Sequence, residues 1–449
     1  MFKKADFNNC ANPETVIRIL ESTLQAVDPF TCVLKSLNRN GLVLTVNGKR
    51  YQLDQFAQVF LFGAGKAALA MGEGVISLLG DRIHNGLLIS KTESKKSVSS
   101  KKVRIYLGDH PLPARKSIQA TRALQNQISD LQSDDLVIFV LSGGASALMT
   151  LPVPEIDISE LARLNRQLLE SGADITEINI VRKHLDSIKG GGLAKFFSPA
   201  TVISLIISDV MTGDLASIAS GPTVGDPSTF QDAFSVLEKY DLVQKAPAVI
   251  VKYIRDGIAG KHDETIKPGD PILEKIQNYI IADNETAILA ATKAAQKQNI
   301  FVKKIPYRLS GDAATAGNKL ADLFLSELHN KKITRPFMMI IGGETTVQVH
   351  GTGRGGRNLE LALASVIKLS GLNNIALISF ATDGEDGTTG AAGVIVTGET
   401  FQKAKILGLD PIAYLKNNDS QGFFEKAGGL IRTGSTGTNV NDLVFLFAF

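Results

Sequence analysis

The strongest constraint on this chain is a pattern that recurs along its length: short runs that are apolar at every position, each followed by glycine and small residues, then by helical spacing. "QVFLFGAG", "NGLLIS", "VRIYLGD", "DDLVIFVLSGG" and "TVISLIISD" are such runs in the first part. "YIIADN", "IFVKKI", "FMMIIGGE", "TTVQVH", "IALISFATDG", "AAGVIVTG" and "DLVFLFAF" follow later. A strand with one wet face alternates apolar and polar residues, so runs without alternation predict mainly parallel sheets covered on both faces. Segments such as "SIQATRALQNQISDL", "ISELARLNRQLLES" and "GDAATAGNKLADLFLSELHNK" supply the covering helices. The fold class is α/β. At 449 residues the chain exceeds one ordinary core. The stretch "GIAGKHDETIKPGDPILEK" is rich in Gly, Pro and charge and predicts a boundary, giving domains 1–270 and 271–449 facing one another across a cleft.

Composition narrows the function classes. The 48 basic and 45 acidic residues nearly cancel, so no general nucleic-acid or membrane surface is expected and anion recognition has to be local. The lysine-rich "KTESKKSVSSKK" reads as a solvated loop between strands. Two cysteines, Cys10 and Cys32, fit a reducing compartment. With no apolar leader or membrane-length run, the expected location is the cytoplasm. The six histidines lack ligand spacing, so zinc has no support.

Ligands of parallel sheets bind beyond the carboxyl ends of the strands, where the glycine-rich stretches of this chain fall. "FGAGKA" (Phe62 to Ala67) puts Gly65 and Lys66 between a strand and a helix. It is not a P-loop, because Phe60 stands where the first glycine belongs and Ala67 replaces Ser or Thr. What remains is a cation at a helix start, either an anion contact or a solvated first-turn residue. "LSGGASALMTLP" presents Ser142, Gly143, Gly144 and Ser146, either an anion-binding nest or a close turn; Leu148 breaks the Gly-x-Ser-x-Gly pattern of a hydrolase. "INIVRKHLDSIKGGGLAK" reads as one helix running to Gly190, with Arg182, Asp186 and Lys189 on one face. "ISDVMTGDLASIASGPTVGDP" brings Asp209, Asp214 and Asp226 after a strand, in turn roles or, for Asp209 first, as a Mg²⁺ ligand.

"GGETTVQVHGTGRGGRNLELALA" is the most telling stretch. Gly351, Gly353 and Gly356 have G-x-G-x-x-G spacing, and Gly355, Arg354 and Arg357 stand among them; guanidinium groups there suit a carboxylate or phosphate. "FATDGEDGTTGAAG" adds Asp383, Glu385 and Asp386, and "RTGSTGTNVNDL" adds Asn439 and Asp442.

Taken together, "GAGKA", "LSGGASAL", "VRKHLDSIKGGGLA", "SDV" with "GDLASIASGPTVGD", "GGETTV", "GRGGRNLELAL" and "TDGEDGTTGAAG" resemble the class II glycerate 2-kinases, whose carboxyl-terminal part is called the MOFRL domain. The resemblance runs from about Lys66 to Asp442. It implies a Rossmann-like amino-terminal domain, a smaller α/β carboxyl-terminal domain and an active site between them. It implies ATP-dependent phosphorylation of D-glycerate at the 2-hydroxyl, giving 2-phosphoglycerate and ADP with Mg²⁺ or another divalent cation. Lys66 takes the place of the family's catalytic lysine and Arg357 of its essential arginine. On this reading Asp209 with Glu344 or Asp383 holds the metal. The contacts to substrate and phosphate come from Gly65, Ser142, Gly143, Gly144, Ser146, Arg182, Lys189, Gly353, Gly355 and Gly356. Neither nucleic acid nor membrane is an expected partner, and monomer and homodimer both stay open.

The main rival is an NAD(P)H-dependent hydroxypyruvate reductase, resting on G-x-G-x-x-G. Beyond Gly356 the window "VIKLSGLNNIALIS" holds no acid for a ribose, which weighs against NAD and leaves NADP. A nucleotide or sugar-phosphate sensor without turnover is the second rival.

Overall fold

The computed structural model describes every residue except 92–97, Thr212 and Lys331; the centre of the lysine-rich stretch lies outside the described residues. The chain divides into two compact units, Pro29–Ile281 and Met1–Asp28 joined with Ala282–Phe449. The division therefore falls later than residue 270, and the first residues of the chain belong with its last part. The cause is helix α1 (Pro13–Ala26), which buries Val16, Ile19, Leu20 and Leu24 and packs on the helix Asn284–Gln296.

The first unit begins with a helix, Pro29–Ser36, followed by a small antiparallel sheet, β1 (Leu37–Asn40), β2 (Val43–Val46) and β3 (Lys49–Gln52). Its main sheet comprises β4 (Val59–Ala64), β5 (Ile83–Ser90), β6 (Val103–Leu107), β7 (Leu136–Ser142), β8 (Thr201–Ile207) and β9 (Ile276–Ala282). The spatial order is β6-β5-β4-β7-β8-β9, and the pairings from β6 through to β8 are all parallel. The chain runs outward from β4 to β6, then restarts at β7 on the other side of β4. This is the strand order of the doubly wound dinucleotide fold, and it puts the reversal point between β4 and β7. Both strands are buried at every position, around Phe62, Phe139 and Phe197. "YIIADN", read from sequence as part of the second domain, supplies the edge strand β9 here.

Helix α2 (Ala68–Leu79) follows β4. A second apolar cluster joins α3 (Ile158–Glu170), α4 (Ile175–His184), α5 (Phe230–Lys239) and α6 (Ala248–Ile258) around Leu164, Val181, Phe230 and Ile254. A capping box of Asp174 and Glu177 starts α4. The helix stops at His184, short of the glycines that sequence gives as its end. Asp186 accounts for this: its carboxylate accepts from Thr150 Oγ1 at 2.5 Å, Leu151 N at 3.2 Å and Ile188 N at 3.1 Å. Those bonds draw residues 186–189 away from the helix and onto the chain beyond β7.

The second unit's sheet comprises β10 (Phe301–Lys304), β11 (Phe337–Gly343), β12 (Ile375–Ala381), β13 (Gly393–Thr397), β14 (Leu430–Ile431) and β15 (Asp442–Ala448), in the order β10-β11-β15-β12-β13-β14. Only β10 with β11 is parallel; the other pairings are antiparallel. The expectation of mainly parallel sheets holds for the first unit and not for this one. Strands β11, β12 and β15 are nonetheless buried at every position, because helices including α7 (Ala313–Leu328) and α8 (Arg357–Ser365) cover the sheet. "TTVQVH" is no strand: only Thr346 pairs, through a bridge to Asp312. Among the described residues no helix is long and apolar enough to cross a membrane.

Candidate active site

In the first unit the loops after β4 and β7 are joined by hydrogen bonds. Lys66 N donates to Gly143 O at 3.0 Å and Ala67 N to Ser142 Oγ at 3.0 Å. Gly65 has φ +132°, and a β-carbon there would lie 2.2 Å from Ser142 Oγ, so glycine is required. A β-carbon on Gly144 would meet both Lys66 Cγ and the His110 ring at 3.2 Å. Lys66, Gly143, Gly144 and His110 therefore converge at the reversal point of the sheet, where doubly wound proteins bind their ligands. Ser142 is buried with its oxygen holding the turn. Ser146 Oγ lies 3.2 Å from Ser220 Oγ, which donates to Asn179.

Burial lowers the His110 pKa to about 4, and the positive charges of Lys66 and Lys91 add to the effect. The ring is thus a neutral donor and acceptor beside a cation at pH 7. Its folded value lies below the ordinary value of about 6.5, so the unfolded chain takes up the proton first. Stability contributed by neutral His110 is complete above about pH 6.5 and is lost as pH falls toward 4. We expect His110→Gln to flatten the fall in unfolding free energy across that window, and NMR to show the wild-type imidazole still neutral at pH 6. A ring titrating near 6.5 would refute both expectations.

Beside this point a pocket enclosing about 70 Å³ is lined by Ser146, Thr150, Asn165, Arg182, Asp186 and Lys189, among others. It brings together Arg182, Lys189 and Ser146, three of the residues singled out from sequence. Lys189 is buried, bonds to Asp186 in a close contact and donates to Thr150 Oγ1 at 3.1 Å. Burial lowers its pKa, against the pull of Asp186. Asp209 stands two residues beyond β8, half-buried. Asp214 accepts from Ala216 N and Ser217 Oγ, a turn role, and buried Asp226 binds Lys183 at 3.3 Å together with Ser228 and Thr265.

The second unit gathers Glu344, Gly353, Gly355, Gly356 and Arg357 on a pocket of about 940 Å³. Arg357 Nε and Nη2 donate to the two oxygens of Asp442 at 2.5 and 3.0 Å, and Nη1 lies 3.1 Å from Glu344 Oε1. Asp442 is 1% exposed; burial pushes its carboxyl up to about 7 while the Arg357 fork pulls the other way. Burial works to lower the Arg357 pKa, but Asp442, with Glu344 and Asp386, holds it above its usual value.

The first part of the glycine loop is packed rather than open. From His350 to Arg354 its backbone donors are committed: His350 N and Gly351 N to Asn418 Oδ1, Thr352 N and Gly353 N to Asn417, and Arg354 N to Asp419. Asp386 is buried and caps α8, accepting from Asn358 N at 3.1 Å and Leu359 N at 2.9 Å. A carboxylate of the protein thus occupies the place where the fingerprint of a dinucleotide fold would hold pyrophosphate. Asp383, at the end of β12, accepts from Glu385 N in a turn and does not line the pocket. Among the described residues no group of three or more His, Cys, Asp or Glu is placed to hold a metal ion.

Residues 15–255 match the family described as "Domain of unknown function (DUF4147)", and residues 337–442 match the MOFRL family. The glycerate 2-kinase of Pyrococcus horikoshii is 36% identical over 96% of each chain. A crystal structure of glycerate kinase from Thermotoga maritima superposes with a TM-score of 0.85 at 36% identity, covering 97% of this chain and 99% of that one. The chain belongs to the glycerate 2-kinase family. It is an enzyme of the phosphotransferase class. A further relative, 34% identical over 97% of this chain and 94% of its own length, is called a putative hydroxypyruvate reductase in Agrobacterium vitis.

Sequence reading of this glycerate 2-kinase family member missed His110 and the pairing of Arg357 with Asp442. His110 sits beyond β6 in "GDHPLP", a strand-end position that could have nominated it. Asp442, read as part of a terminal loop, is the first residue of buried strand β15, a place where an unpaired acid is not tolerated.

Proposed function

We propose that this protein transfers the γ-phosphoryl group of ATP to the 2-hydroxyl of D-glycerate, giving 2-phosphoglycerate and ADP. The observation that carries the reading is the turn that presents Lys66: the Lys66 and Ala67 backbone N–H groups are held by Gly143 O and Ser142 Oγ at the reversal point of a doubly wound sheet, in a chain of the glycerate 2-kinase family. Phosphoryl transfer depends on positioning and on neutralising charge on the moving group more than on a covalent partner. In this reading Lys66 neutralises that charge, and Gly143 and Gly144 let the backbone approach the phosphate closely. Arg357 serves the same reaction, its fork held by Asp442. Neutral His110 beside Lys66 is placed to accept the hydroxyl proton.

In this reading a divalent ion arrives with the nucleotide. Mg²⁺ keeps most of its waters and uses one or two carboxylates plus substrate phosphates, and here no cluster of three ligands is found among the described residues. Asp209, Glu344 and Asp383 are the carboxylates proposed for it, Glu344 having first to share its charge with Arg357. The ion would supply neutralisation of the phosphate oxygens.

A ³¹P NMR time course with D-glycerate, ATP and Mg²⁺ tests the reading directly. Growth of a 2-phosphoglycerate signal with loss of ATP is expected. No phosphoester, with steady NADPH oxidation in the presence of hydroxypyruvate, would replace the kinase reading with the reductase.

A further inference from the structure

Arg182 carries a charge that the surrounding protein leaves unanswered. Its Nε donates to Asn165 Oδ1 at 2.7 Å, while its two Nη groups have no hydrogen-bond or ion-pair partner among the described residues. Burial lowers its pKa, and no neighbouring carboxylate opposes that effect. The one carboxylate among the described residues that line the same pocket, Asp186, is already engaged by Lys189, by Thr150 Oγ1 and by two backbone N–H groups. That lysine and aspartate cancel, so the pocket keeps one net positive charge, on a planar fork. Arg357 is the contrast: it has two carboxylates on its donors. A partly desolvated guanidinium without a counter-ion is costly, and a bound carboxylate would relieve that cost through two parallel hydrogen bonds.

The remaining walls are apolar: buried Leu161, half-buried Pro113, and exposed Pro111 and Leu112. An enclosed space of only about 70 Å³ suits an acid of a few carbons rather than a nucleotide. The pocket lies beside the Lys66 loops: Ser146, which lines it, is two residues beyond Gly144, and Pro111 follows His110. Asn165 is 3% exposed and fixes the guanidinium plane through Nε, leaving the Nη edge for the ligand.

We propose that Arg182, oriented by Asn165, is the carboxylate receptor for the phosphoryl acceptor and sets the preference for a small α-hydroxy acid over a neutral polyol. This rests on the kinase reading, which names the acceptor. It assigns the acid group to Arg182 and leaves the phosphates to Lys66 and Arg357.

The test compares wild type, Arg182→Gln and Arg182→Lys in steady-state kinetics with D-glycerate, with its neutral amide D-glyceramide, and with varied ATP. Arg182→Gln is expected to raise the KM for D-glycerate by about 100-fold and to erase most of the preference for acid over amide, with the KM for ATP within about twofold of wild type. Arg182→Lys, which keeps the charge and loses the fork, should raise the D-glycerate KM by about tenfold. It also carries the test if the glutamine variant does not fold. An unchanged KM for D-glycerate overturns the assignment; a raised KM for ATP instead assigns the pocket to a nucleotide phosphate and overturns it too. Should wild type make no phosphoester, the kinase reading fails by itself. Saturation-transfer NMR of D-glycerate with wild type and Arg182→Gln then decides the carboxylate site separately, equal binding refuting it.

Discussion

Lys66→Ala is expected to lower kcat by about 1,000-fold while the protein stays folded, the larger end of what removal of one charge-stabilising donor costs. The fold should survive because the two contacts that hold this turn are made by backbone, Lys66 N to Gly143 O and Ala67 N to Ser142 Oγ, and alanine keeps both. The residue that cannot change is its neighbour Gly65, with φ +132°. If Lys66 acts on the charge that develops during transfer, kcat falls and KM for either substrate moves little, since interactions made only in the transition state do not support ground-state binding. A second readout is independent of turnover. Lys66 is one of the charges that lower the His110 pKa, so removing it should raise that value above about 4, though not to the ordinary one, because burial is the larger cause. Normal kcat in the variant would remove Lys66 from the mechanism; a displaced His110 titration with normal kcat would show a cation placed there for another purpose.

Much of this site could be read from residues because it depends on local pattern. An apolar run followed by glycine and small residues marks a strand end, and that signal put Lys66, Ser142 to Gly144 and Asp209 at or just beyond the ends of strands. Which strand ends come together follows from strand order, and two of these three loops meet because β4 and β7 are neighbours. The illegible parts depend on contacts between residues far apart in sequence. Fully apolar runs cannot distinguish parallel from antiparallel strands when helices cover both faces, so the direction of β15 was hidden. The end of α4 is decided by Asp186 reaching Thr150 and Leu151. The G-x-G-x-x-G loop looks like a phosphate nest in isolation. Its donors as far as Arg354 go to Asn417, Asn418 and Asp419, which no local window contains.

Arg357→Lys is expected to lower kcat/KM by about 100-fold and to destabilise the protein by about 3 kcal/mol, two effects with different causes. The stability loss comes from Asp442, which is buried at the start of β15 and receives both Nε and Nη2 of Arg357. An ammonium cannot reproduce that fork and also reach Glu344, so the carboxyl loses its main stabilising partner. The pH dependence follows with a definite sign. Burial has already raised the folded pKa of Asp442 to about 7, above the unfolded value of about 3.9. The folded state therefore binds the extra proton, and stability falls as pH rises from about 4 to about 7. Weakening the fork raises the folded value further, so the variant should keep losing stability above pH 7, where wild type has levelled off. Pairing the change with Asp442→Asn removes the buried charge and should recover most of the stability and remove the added pH dependence. Activity should not return with it, because the planar donor is still absent from the pocket. A double variant that regains both would mean that Arg357 serves only to neutralise Asp442, and that the phosphoryl group is stabilised by other residues.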